Sequence, residues 1–108
     1  MRYFGAVTVF DVFYLAAVNT YEPGKSPYGV YHMAGNVLEW VADWHEDDYY
    51  TKSPQRDPRG PASGQYRVLR GGSWMDQPGY VRSAYRLSVS PSSRIVTFCF
   101  RCARAAPQ

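Results

Sequence analysis

At 108 residues the chain has room for one domain, read here as 1–108, and not for two, since domains typically run about 100–150 residues. Apolar residues at 45% and charged ones at 19% exclude a disordered chain, and aromatic residues at 17%, with nine Gly and eight Pro, indicate a loop-rich domain with rings in its core. The net charge of +3 divides unevenly: residues 1–60 hold five basic and eight acidic groups (−3), and residues 61–108 hold seven Arg against Asp76 (+6). A basic half can indicate nucleic-acid binding, but these Arg stand singly among aromatic and small residues, with no Lys. Guanidinium forks that tie loops or face a ligand are the favoured reading, and nucleic acid is disfavoured.

In chain order, residues 2–18 are rich in Val, Phe and Tyr and read as one long strand or two short ones. Asp11 interrupts the apolar run, which argues against a signal peptide and favours the cytoplasm. No uninterrupted apolar run reaches the roughly 18 residues of a membrane span. Residues 19–29, with two Pro and two Gly, form a loop. Gly35-Asn36 is a turn signal; after it "VLEWVADW" sets Trp40 and Trp44 four apart, as a helix would, while a strand from 37 to 42 is equally allowed. Residues 46–65 are acidic, then rich in Pro and Gly, and read as a long surface loop. "YRVLRGG" is a short strand ending at glycines, "GYVRSAYRLSV" is strand or irregular, "SPSS" is a turn, and "RIVTFCFRCAR" reads as a strand in the centre of a sheet. Its Cys99 and Cys102 would lie on opposite faces, unable to pair, and are read as buried thiols.

Three segments in order, "SPYGVYHMAGNVLEWVADW", "YRVLRGGSW" and "FCFRCAR", resemble the formylglycine-generating enzyme (sulfatase-modifying factor) family over residues 18–104. The resemblance implies an α+β fold, a variant of the C-type-lectin fold. It has little regular structure and a short antiparallel sheet in which the N-terminal strand (2–18) meets the C-terminal one (95–104). Family members carry a longer segment ahead of the YG motif, so this chain reads as a truncated version.

The family turn binds calcium through hard oxygen donors, and by resemblance the positions are His32, the carbonyls of Gly35 and Val37, and Glu39. Imidazole at 32 departs from that pattern, and Glu39 paired with an Arg is the alternative. The family enzyme oxidises a substrate cysteine to formylglycine with a copper ion on two cysteines; the matching positions here are Asp76 and Val81, so copper is disfavoured. Related sulfoxide synthases hold iron on three histidines, whereas this chain has only His32 and His45. The variable proteins of diversity-generating retroelements keep the same frame and use the surface between its motifs for binding. By that resemblance, a face of Ser73, Trp74, Asp76, Tyr80, Arg82, Tyr85 and Arg86 is expected to take a protein or small-molecule ligand. For Trp74 a core role weighs equally, and for the Tyr and Arg residues so does simple packing. Edge strands left by a missing half make a homo-oligomer a further expectation.

Overall fold

A computed structural model of the chain describes residues 15–17 and 19–103. The expected first strand lies mostly outside those residues, as does its pairing with the C-terminal strand; the described part, 15–17, has no regular structure.

"VLEWVADW" resolves as strand: β1 spans Leu38–Trp44. A one-turn helix, α1 (Tyr49–Lys52), interrupts the expected 46–65 loop, with Lys52 paired to Glu46 at 2.8 Å and Asp48 at 3.3 Å. β2 is Arg67–Arg70, β3 is Leu87–Val89 and β4 is Phe98–Cys99, in the sheet order β3-β2-β1-β4. β1–β2 and β2–β3 are antiparallel, but β4 runs parallel to β1 (Leu38 opposite Phe98, Glu39 opposite Cys99). The sheet is therefore mixed rather than purely antiparallel. The long excursion from β3 to β4 returns the chain on the far side of β1 in β1's own direction, as parallel neighbours require.

Alternation explains the two faces of β1. Leu38 is buried and Trp40 packs edge-on against Phe98 at 5.8 Å, while Glu39 sits opposite Arg70. Between Trp40 and Trp44 the register slips: β1 advances four residues while β2 advances two, from Leu69 to Arg67. The bulge turns Trp44 under the Arg67 guanidinium, 3.5 Å from the ring centre, and Arg67 also donates to the Ala42 carbonyl at 2.5 Å.

Among the described residues the buried apolar side chains are Leu38, Val68, Leu69 and Val81, with Asn36, Ser73 and Thr97 as buried polar companions. Each companion is absorbed into the hydrogen-bonding of the loops. Asn36, at φ 65°, accepts from the Ala16 amide through its side chain and from the Trp74 amide through its carbonyl, as its place in a Gly-Asn turn anticipates. The Thr97 carbonyl accepts from the Leu38 amide at 2.8 Å.

The C-terminal expectation is corrected. Among the described residues of "RIVTFCFRCAR" only Phe98 and Cys99 pair, Ile95, Val96 and Phe100 are exposed, and both cysteines are exposed rather than buried. An apolar run suits a central strand only if partners flank it, and among the described residues β4 is bonded to β1 alone.

Candidate functional site

The site is built where β2 ends. Gly71 and Gly72 hold φ 92° and 70°, conformations that other residues rarely adopt. A Cβ on Gly72 would come within 2.9 Å of the Val81 Cα and 3.0 Å of the Tyr80 carbonyl oxygen. The glycine pair therefore lets the 78–81 turn lie directly against the strand end and buries Val81. The Gly35 amide bonds the Gly71 carbonyl at 2.8 Å, which fixes the 33–37 turn on the other side.

Ser73 is buried and points its polar atoms at one acceptor. Oδ2 of Asp76 receives the Ser73 amide at 2.7 Å and its hydroxyl at 2.8 Å, and the Ser73 Oγ accepts from the Met75 amide. Asp76 thus closes its own turn. Trp74 is half-buried. Tyr80 and Tyr85 meet edge to face at 5.1 Å, and burial pushes the Tyr85 hydroxyl above its ordinary pKa. Arg82 Nε donates to the Gly79 carbonyl at 2.8 Å, and Arg86 pairs with Asp43 of β1 at 2.7 Å.

The seven residues expected on one ligand face therefore divide. Ser73 and Asp76 turn inward. Arg82, Tyr85 and Arg86 line a shallow depression of about 290 Å³ with Trp44, Glu46 and Tyr49. Arg82 also borders a larger cavity of about 800 Å³, lined by Met33, Ala34, Glu39, Val41, Arg70, Gly71, Pro78, Val81, Ser83 and Ala84. Most of that lining was missed in the sequence. Arg70 carried a signal, being the charged residue before the glycine pair, but its position across from Glu39 is a matter of strand register.

Of the four residues assigned to calcium, Gly35 and Val37 both border Gly71, and His32, at φ 53°, sets Nε2 3.2 Å from the Ala17 carbonyl. Both carboxylate oxygens of Glu39 are taken by the Arg101 guanidinium, which also donates to the carbonyls of Tyr31 at 3.1 Å and His32 at 3.3 Å. The ion pair raises the Arg101 pKa still further. Of the two expectations for Glu39, the structure shows the pairing with an Arg: the Arg101 guanidinium spans its carboxylate. Among the described residues no group of three or more His, Cys, Asp or Glu could hold a metal.

The model of the sulfatase-modifying factor enzyme 1-like domain matches residues 7–106. The chain belongs to this family. A formylglycine-generating enzyme of Streptomyces coelicolor is 44% identical over 94 residues, 84% of this chain and 29% of the relative. The serine/threonine-protein kinase pkn1 of Chlamydia pneumoniae is 47% identical over 89 residues, 81% of this chain and 14% of the relative. Among solved structures, Treponema denticola variable protein 1 aligns with a TM-score of 0.59 at 46% identity, over 68% of this chain and 26% of that one. The chain thus spans less than a third of the length of these relatives, and the fold is the family's: an α+β domain with few helices and a small mixed sheet.

Proposed function

We propose that this chain is a binding module that keeps the family frame without its copper chemistry, and that it recognises a protein or small-molecule ligand beside the turn at 71–85. The observation that carries this reading is the employment of the two positions matching the copper-binding cysteines. Asp76 is committed to the Ser73 amide and hydroxyl, and Val81 is 5% exposed and packed against Gly72. A carboxylate held by two donors and an aliphatic side chain offer no soft ligand pair for Cu(I). The recognition side of the reading is supported by an apolar cavity with a few charged groups at its border, the usual make-up of a ligand site. In this reading Glu39 serves as the partner of Arg101.

The competing reading is an oxidase that converts a substrate cysteine to formylglycine. Copper-loaded protein incubated with a cysteine peptide carrying the sulfatase motif separates the two by mass spectrometry. No aldehyde product above a protein-free control is expected; turnover would overturn the non-catalytic reading.

A further inference from the structure

We propose that the cavity of about 800 Å³ beside β1 and β2 is a site for a small organic anion, a carboxylate carried on an apolar body. The inference rests on the recognition reading above and gives it a ligand class.

Among the described residues three charged side chains line the cavity: Glu39, Arg70 and Arg82. Glu39 is neutralised by the two-pronged contact from Arg101. Arg70 donates to the Ser83 carbonyl and Arg82 to the Gly79 carbonyl, and neither makes an ion pair among the described residues. A carbonyl contact positions a guanidinium without cancelling its charge and occupies one of five N–H donors. Two positive charges therefore remain at a cavity whose one acid is already matched. The remaining donors suit a carboxylate, which accepts two parallel N–H bonds from a guanidinium fork, and the field repels cations.

The body of the ligand follows from the rest of the lining. Met33, Val41, Val81 and Ala84 are apolar, so a compact hydrated anion such as inorganic phosphate would leave that surface wet, whereas an alkyl chain covers it. The volume lies within the roughly 300–1,000 Å³ of small-molecule sites.

The test titrates the ¹⁵N-labelled full chain, at constant ionic strength, with hexanoate, hexanamide, hexylamine and inorganic phosphate. Hexanoate is expected to shift the amides of Arg70, Val81, Arg82 and Ala84, with hexanamide about tenfold weaker for want of a charge-assisted contact. Arg82→Gln is expected to lower hexanoate affinity about tenfold and leave hexanamide unchanged; it keeps the fold even if Arg70→Gln does not, since Arg82 is exposed. Ala84→Leu, by filling the cavity, is expected to weaken both probes. Equal binding of hexanamide or phosphate, preference for hexylamine, shifts confined to other surfaces, or no shift at all would each overturn the anion site. Equal hexanamide binding would leave the recognition reading standing, and aldehyde formation would remove that reading while the anion titration remained readable.

Discussion

Asp76 and Val81 both hold structural posts beside the glycine pair. Ser73 is 1% exposed, so its amide and hydroxyl need an acceptor inside the fold, and Asp76 serves both. Asp76→Ala is expected to cost about 1–3 kcal/mol in urea unfolding, the penalty for leaving buried donors without a partner, and Asp76→Asn less because one carbonyl oxygen remains. Asp76→Cys would incur much of the same loss, so returning the family's cysteine at that position alone trades stability for a thiol. Val81 is constrained from the other direction: its Cα lies only 2.9 Å from where a Cβ on Gly72 would fall, so the glycine and the valine are one packing decision.

Beside the strand pairing, three arginine side chains join elements among the described residues. Arg67 ties β2 to Trp44 of β1, Arg86 crosses to Asp43 of β1, and Arg101 carries the chain just beyond β4 back to Glu39 and to the 31–32 backbone. In these contacts the single arginines act as the planar forks that the sequence reading favoured. Arg101→Ala is expected to lower stability by about 1–2 kcal/mol, reduced from the value of a buried charged hydrogen bond because the Arg101 side chain is 37% exposed. Faster amide exchange within 31–39 should accompany the loss. Arg101→Lys is expected to restore little, since a point charge cannot reach both carboxylate oxygens and two carbonyls together.

At the scale of the whole molecule the pH response follows from groups raised in the fold. Tyr85 is raised by burial, Tyr31 by its hydrogen bond to Glu22, Lys25 and Lys52 by their carboxylate partners, and Arg101 by Glu39. In every case the folded state holds the proton more tightly than the unfolded one, so the linked stability is complete below the unfolded pKa and declines as pH rises through the folded one. The thermal midpoint is therefore expected to fall as pH passes the ordinary tyrosine value of 10.0. Tyr85→Phe keeps the ring against Tyr80 and removes one ionisation, so it should make that fall shallower. Glu22 acts with the opposite sign: Lys25 and Tyr31 hold it below its ordinary 4.5, so its contribution is present above that value and lost on acidification. The Lys25–Glu22 pair is exposed, and salt should weaken it.

Local signals in the chain were enough for the family, the short β2 strand before its glycines and the Gly-Asn turn, because each depends on a few adjacent residues with restricted conformations or chemistry. "VLEWVADW" was undecided because Trp40 and Trp44 satisfy a helical spacing as well as a strand. Pairing with β2 and the Trp40–Phe98 contact select the strand from residues far along the chain. The terminal apolar run was read as central because composition records what a strand would tolerate, not how many neighbours it has. The same limit applies to the site. The residue types at 73–86 suggested recognition, but which of them turn inward and which border a cavity depended on burial, strand register and the close approach of Gly72 to Val81. Those are properties of distant segments brought together, and the energy that sets them appears only once the chain has packed.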